Sequence, residues 1–159
     1  MRMGIYSDKV HDVKDIPDGA TIAIPNDPTN GGRGLLLLQR AGLLKLKDGV
    51  SMKATPKDVV DNPKHLKFKE LEAAQLPRSL ADVDAAAITM NYVMSGGLDV
   101  KKQNIFLEPK DEPLAVMIIA ARNKDKDKEA YKAFVKAYQS EAVKKFIADK
   151  YKGTIEPAF

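Results

Sequence analysis

Cysteine is absent from this chain of 159 residues, and its absence removes several classes of chemistry. Without thiols the chain forms no disulfide, no thiolate nucleophile and no cysteine-ligated metal site. Aromatic residues make up only 6% of the sequence, and no basic stripe is interleaved with them, so we expect no nucleic-acid binding. No apolar run is long enough to span a bilayer, and the first residues lack an apolar stretch of signal-peptide length. We therefore expect neither a membrane span nor a targeting segment.

What remains is the composition of an ordinary folded domain. Hydrophobic residues account for 44% of the chain, which is enough to form a core. The 26 basic and 22 acidic residues give a net charge of only +4. Many lysines alternate with acidic residues, as in "RNKDKDKEAYK", and this alternation is typical of a solvated helical surface.

Strand and helix signals alternate over the first two thirds of the chain. The predicted strands are residues 4–7, "ATIAIP" at 20–25, "LKFKELEA" at 66–73 and "DAAAITM" at 84–90. The predicted helices are residues 31–41, "ATPKDVVDNP" at 54–63, "LPRSLADV" at 76–83 and "NYVMSGGL" at 91–98. Repeated strands and helices in this order predict an α/β fold with a mostly parallel sheet.

The last third of the chain has a different pattern. "LAVMIIAAR" at 114–122 is apolar without alternation, which predicts a central strand. Two helices follow, with Ser140 as the predicted N-cap of the second. Their apolar residues recur at helical spacing and need something to cover them: Ala130, Tyr131, Phe134, Val135 and Tyr138 in the first helix, and Val143, Phe146, Ile147 and Tyr151 in the second.

The stretch "AIPNDPTNGGRGLLLLQRAGL" is the most informative part of the sequence. Its polar half predicts a loop, and its leucines predict a buried helix over 31–41 that Thr29 or Asn30 caps and that ends at Gly42. The start of such a helix offers unpaired N–H groups and a partial positive charge to an anion. Arg33 lies one turn inside, so we expect its guanidinium and the first N–H groups to face one cleft.

Other polar motifs carry weaker signals. His11 and His65 lie in polar contexts without a partner at ligand or triad spacing, so we expect surface histidines. Asp82 and Asp84 flank Val83 and are either paired carboxylates or, more commonly, an Asp-rich turn. The glycine-rich loop contains Gly-Gly-Arg-Gly where nucleotide hydrolysis needs Gly-Lys-Ser/Thr. We expect no catalytic residue, no metal and no cofactor.

The segments "AIPNDPTNGGRGLLLLQRAGLLKLKDG", "LEAAQLPRSL" and "AYQSEAVKKFI" closely resemble the NlpA/MetQ family of methionine-binding lipoproteins of bacterial ABC importers. The resemblance implies a periplasmic-binding-protein type II-like α/β lobe over residues 1–113, with a crossing strand at its start. Residues 114–159 would then supply a return strand and the closing helices of an incomplete first lobe. Family members begin with a further segment that carries the lipid-anchor cysteine and the aromatic methionine pocket, and this sequence does not contain it.

The resemblance also implies which residues bind a ligand. In the family this loop and helix start line the cleft of a two-lobed protein, and the arginine at the position of Arg33 holds the ligand carboxylate. Thr89 and Val116 stand where the family has ligand-contacting asparagines, and valine offers neither donor nor acceptor. The implied ligand-binding residues are Asn26, Thr29, Asn30, Arg33, Thr89, Asn91 and Val116.

The resulting expectation is part of an ABC importer's substrate-binding protein for L-methionine or a related amino acid. Its partners would be the ABC permease and ATPase, and its location extracytoplasmic and membrane-anchored. Two alternatives stay open: a binding-deficient fragment or structural remnant, and an enzyme that uses the anion site at the helix start. Because most of the first-lobe sheet is missing, we expect four aromatic residues to be exposed and to drive self-association, namely Tyr131, Phe134, Tyr138 and Phe146.

Overall fold

A computed structural model describes residues 1–159, which fall into two compact units. One unit is Arg2–Glu112, and the other consists of Met1 and Pro113–Phe159. The assignment of 1–113 and 114–159 to two lobes of a binding protein stays a prediction. None of the helices is both long enough and apolar enough to cross a membrane.

The unit Arg2–Glu112 is built on strands. In chain order they are β1 (Met3–Tyr6), β2 (Thr21–Pro25), β3 (Lys45–Leu46), β4 (Val59–Asp61), β5 (Lys67–Leu71), β6 (Ala85–Thr89) and β7 (Asn104–Leu107). Five of them form one sheet in the order β5-β2-β6-β1-β7, and β3 pairs with β4. Strand β2 is parallel to β5 and β6, whereas β1 is antiparallel to β6 and β7. Only β1 is reversed, so the predicted mostly parallel α/β sheet is confirmed.

Short helices connect these strands. They are α1 (Pro28–Arg40), α2 (Leu76–Ser79), α3 (Met90–Ser95) and α4 (Val100–Gln103), with single 3-10 turns at Val13–Asp15, Pro56–Asp58 and Ala73–Gln75. Helix α1 and the β3–β4 hairpin together provide the crossover that the parallel pair of β2 and β5 requires. The helix predicted over 54–63 is wrong beyond its first turn. Val59 and Val60 are β-branched residues, which favour a strand, and they lie in β4.

The core lies between α1 and the sheet. Leu35 and Leu38 of α1 are fully buried, as are Ile22 and Ile24 of β2. Every residue of β6 is buried, which fits a central strand made of small residues and covered on both faces. Strand β5 at the sheet edge instead exposes its lysines and its glutamate, as its alternating pattern predicts.

The unit that contains Pro113–Phe159 has no strand. It consists of a 3-10 turn at Pro113–Ala115 and the helices α5 (Glu129–Tyr138) and α6 (Glu141–Tyr151). The strand predicted over 114–122 is wrong: Met117 and Ile118 are 74% and 81% exposed. An apolar, β-prone segment becomes a strand only where a neighbouring strand satisfies its backbone hydrogen bonds, and this unit offers none.

The two C-terminal helices have well-formed ends but no covered face. Ser140 caps α6 as predicted, because its hydroxyl accepts a hydrogen bond from the Val143 N–H. No residue of either helix is buried. The expected exposure of the aromatic side chains is therefore confirmed: Tyr131, Phe134, Tyr138 and Phe146 are each about half exposed.

Helix α1 begins so close to the loop between β3 and β4 that only glycine fits at its fifth residue. A Cβ atom on Gly32 would lie 2.2 Å from the Met52 carbonyl oxygen and 2.9 Å from the Ala54 nitrogen. Both neighbours are backbone atoms, which cannot rotate away. Gly32 thus fixes the distance between the start of α1 and residues 52–54.

Replacing Gly32 with Ala tests this contact. Although alanine favours a helix over glycine by about 1 kcal/mol, we expect the clash to dominate and to lower the free energy of unfolding by about 1–3 kcal/mol. Urea unfolding measures the change. The control is Thr29→Ala, at an exposed position in the same helix, for which we expect a change within about 0.5 kcal/mol. Equal midpoints for the two variants would contradict the close contact.

Candidate functional site

The start of α1 differs in one respect from the predicted anion site. The N-cap is Asp27 rather than Thr29 or Asn30, and Pro28 occupies the first helical position, which suits a residue without an N–H. The Asp27 carboxylate accepts hydrogen bonds from the backbone N–H of Asn30 at 2.9 Å and from its side-chain amide at 3.1 Å. A carboxylate of the chain itself therefore already lies where the helix dipole attracts an anion.

A cavity of about 250 Å³ opens beside this helix start. Its lining is mostly apolar, with the polar groups of Asn26, Asp27, Lys53, Thr55 and Glu70 at its walls. The remaining lining residues are Ile24, Pro28, Gly31, Gly32, Leu35, Ala54 and Pro56. An apolar hollow with a few polar groups is the common form of a small-molecule site. Arg33 is not among the residues that line this cavity, and the common cleft expected for it stays a prediction.

One wall of the cavity is held by a capping box. The backbone N–H and the hydroxyl of Thr55 both donate to the Asp58 carboxylate, each at 2.9 Å. The Lys47 ammonium lies 2.7 Å from the same carboxylate. The hydrogen bond from Lys47, followed by those from Thr55, lowers the pKa of Asp58 to about 2. The Asp58 carboxylate therefore stays ionised at neutral and mildly acidic pH, and the hydrogen bonds that it accepts from Thr55 hold this wall in place.

Arg33 is buried and bound to a carboxylate that the sequence did not point to. Its Nε donates to Oε1 of Glu108 at 2.8 Å, and its Nη2 donates to Oε2 at 2.5 Å. The two side chains are only 7% and 4% exposed. Parallel bonds of this kind are the strongest geometry between an arginine and a carboxylate. The guanidinium thus binds a carboxylate of the chain itself, and its role in binding a ligand carboxylate stays a prediction.

Glu108 also connects Arg33 to the sheet. Its Oε2 accepts a hydrogen bond from the Met3 backbone N–H at 2.6 Å, and its own N–H donates to the Met3 carbonyl at 3.0 Å. Met3 of β1 is paired in register with Thr89 of β6. Glu108 is separated from Arg33 by 75 positions, and nothing in its local sequence marks it.

The other predicted ligand-binding residues are scattered. Thr89 is buried as the N-cap of α3, and Asn91 is exposed in the first turn of that helix. Asn26 is exposed just after β2, where its backbone N–H donates to the Leu71 carbonyl. Val116 belongs to the other unit and is 50% exposed. Their ligand-binding roles stay predictions.

The remaining polar motifs have structural partners. Asp84 accepts a hydrogen bond from the Thr21 backbone N–H at 2.8 Å and pairs with Lys9 at 3.1 Å. The bond from Thr21 is the main cause that lowers the pKa of Asp84. Asp84 therefore joins the residue before β6 to the start of β2, while Asp82 is exposed. His65 is exposed and lies 2.7 Å from Asp18.

Comparison with known proteins establishes the family. The NlpA lipoprotein family model matches residues 1–159, so the chain belongs to the NlpA lipoprotein family. The chain is 52% identical over 140 residues to the D-methionine-binding lipoprotein MetQ of Salmonella typhi, which covers 87% of this chain and 51% of that protein.

Two solved structures are similar over nearly the whole chain. A nutrient binding protein from Burkholderia cenocepacia, bound to methionine, has a TM-score of 0.88 and 45% identity. A periplasmic substrate-binding protein of an ABC transporter from Coxiella burnetii has a TM-score of 0.90 and 40% identity. Each comparison covers 99% of this chain and 66% of the other. The chain thus spans about half the length of the curated relatives and about two thirds of these structures.

Removing Arg33 tests the buried ion pair. Arg33→Met leaves the Glu108 carboxylate buried without its arginine, so we expect the free energy of unfolding to fall by about 3–5 kcal/mol. The double variant R33M/E108L removes both charges, and we expect it to lose less than the sum of the two single variants. Urea unfolding of all three gives the coupling energy. The control is Lys47→Met, which breaks the ion pair between the exposed Lys47 and Asp58 and should lower the free energy of unfolding much less. An equal loss in Lys47→Met and Arg33→Met would contradict a stabilising role of the buried pair.

Proposed function

We propose that this chain is part of a substrate-binding protein of a bacterial ABC importer, with L-methionine or a related amino acid as its ligand. The family match over residues 1–159 carries the proposal. It is supported by the likeness to the methionine-bound protein from Burkholderia cenocepacia, at 45% identity. Its task is binding and release, without covalent chemistry and without a cofactor.

Within the unit Arg2–Glu112, Arg33 is the group that we propose for the ligand carboxylate. A guanidinium binds a carboxylate through charge-assisted hydrogen bonds that contribute roughly 1.5–3 kcal/mol each. Asn26, Thr29 and Asn30 follow the carboxyl end of β2, while Thr89 is the last residue of β6 and Asn91 follows it. Ligands of open α/β sheets commonly bind beyond this end of the strands. Val116 is kept as a ligand residue on the family resemblance alone.

The partners and the location follow from the same proposal. The ABC permease and ATPase would receive the ligand, and the protein would act outside the cytoplasm, anchored to the membrane by a lipid. Relatives described as lipoproteins and as a periplasmic substrate-binding protein support this location.

A second candidate, a fragment that does not bind a ligand, is supported by the carboxylates of the chain that already occupy the site. The Asp27 carboxylate caps α1, and Glu108 binds Arg33, so both groups that attract an anion already hold one. A chain that spans half of its relatives and has its site filled in this way fits a fragment that does not bind a ligand. This alternative differs from the first in a measurable way.

An NMR titration of the isotope-labelled chain with L-methionine separates the two. We expect chemical-shift changes at Arg33 and at residues near the ends of β2 and β6. The dissociation constant should be at about the millimolar level or weaker, which corresponds to a binding free energy of about 4 kcal/mol. Methioninol, which lacks the carboxylate, is the control and should give no change at Arg33. No response to tens of millimolar methionine would favour the fragment without a ligand, and a micromolar midpoint would show that the chain holds a complete site.

We also propose that the chain associates with a second copy through α5 and α6. Phe134 and Tyr138 stack with ring centroids 5.9 Å apart on a face that nothing covers in this unit. Exposed apolar patches of this kind mark interaction sites.

Light scattering at high concentration tests the association. We expect a dimer or larger species, and replacement of Phe134 and Tyr138 by Ser should shift it toward monomer. Lys136→Ser, at an exposed position of α5, is the control. A monodisperse monomer at high protein concentration would contradict the proposal.

A further inference from the structure

The most unusual group in the unit Arg2–Glu112 is the carboxylate of Glu108. It takes up the Nε and Nη2 edge of Arg33 with two parallel bonds, at 2.8 Å and 2.5 Å, inside a site from which water is excluded. A second carboxylate that approached the same edge would meet a pair without net charge. It would also have to replace both bonds at once.

Glu108 is also held in this position by Met3 of strand β1. Its Oε2 accepts from the Met3 N–H at 2.6 Å, and its backbone N–H donates to the Met3 carbonyl. The side chain is therefore fixed by strand β1 as well as by Arg33. Displacing it would break the bond to Met3 in addition to the two bonds to the guanidinium.

We propose that Glu108 is an internal occupant of the carboxylate-binding edge of Arg33 and thereby limits which ligands, and how tightly, this site binds. The proposal rests on the proposed role of Arg33 in binding a ligand carboxylate. A ligand carboxylate binds the Nε and Nη2 edge of Arg33 only when Glu108 leaves, so the cost of moving Glu108 is subtracted from the affinity of every ligand that binds in this way. Glu108 is thus a residue that sets the specificity and the affinity of this edge.

Chemical rescue by a small carboxylate tests this directly. Glu108→Ala removes the occupant and leaves space beside Arg33, so we expect the melting temperature to fall. Sodium formate should then restore it by about 5 °C at about ten times the dissociation constant of formate, with sodium chloride at equal ionic strength as the reference. The wild-type chain should show no such rise, because its edge is filled.

Two control variants identify the site of rescue. R33M/E108A lacks the guanidinium and should not respond to formate. Glu112→Ala removes the carboxylate that pairs with Arg40, a matched ion pair whose arginine is 49% exposed. Water solvates Arg40 in that variant, so we expect no rescue. A folded E108A chain that formate does not stabilise, or an equal rise in R33M/E108A, would overturn the proposal.

Glu108→Gln keeps the test decisive if E108A does not fold. Glutamine has a similar shape, but its amide presents donor hydrogens to Nη2, so it cannot satisfy both N–H groups. We expect E108Q to bind L-methionine at least about tenfold more tightly than the wild-type chain, which is about 1.4 kcal/mol. Equal, measurable dissociation constants for the two chains would overturn the proposal. Formate rescue without methionine binding in any variant would instead contradict the proposed function and leave the role of Glu108 supported.

Discussion

The buried ion pair between Arg33 and Glu108 joins three parts of the unit Arg2–Glu112. Arg33 lies in α1, Glu108 follows β7, and the bond from the Met3 N–H adds β1. Removing two charges from water is costly, and the pair is tolerable because each charge is matched by the other with good geometry. This match ties the start of α1 to β1 and to the residue that follows β7.

The same pair gives the site its electrostatic character. The guanidinium and the helix start are two positive features of this region, and each faces a carboxylate of the chain. The site is therefore charge-balanced before any ligand arrives. Under the proposed role of Arg33, a ligand carboxylate would exchange with Glu108 rather than fill an empty positive pocket, and exchange yields less free energy than first occupation of such a pocket.

Local features of the sequence predict local features of the structure well. Pro25 ends β2, the small residues of β6 indicate a covered strand, and Ser140 begins α6. The predicted N-cap of α1, Thr29 or Asn30, lies two or three residues after the actual one, because both residues are good caps in isolation. Pro28 fixes the first helical turn and leaves Asp27 to cap the helix.

Features that depend on distant partners were not predictable in this way. Apolarity at residues 114–122 indicates a strand, but whether one forms depends on a neighbouring strand elsewhere in the chain. Glu108 lies in a loop-like stretch between Leu107 and Pro109, so its burial follows only from the position of Arg33. The family resemblance indicated Arg33 as a carboxylate-binding group, and the identity of its carboxylate emerged from the fold alone.

Strand β1 has a consequence for the order of events when the protein is made. It is made before both of its neighbours in the sheet, which are residues 86–89 and 104–107. The sheet therefore cannot close until nearly the whole unit has been synthesised, and β1 waits with Met3 and Ile5, which are fully buried in the finished fold, in contact with water. Pairings of such long sequence separation slow folding and expose apolar strands to aggregation. The nascent chain is thus most vulnerable in the interval before β7 emerges.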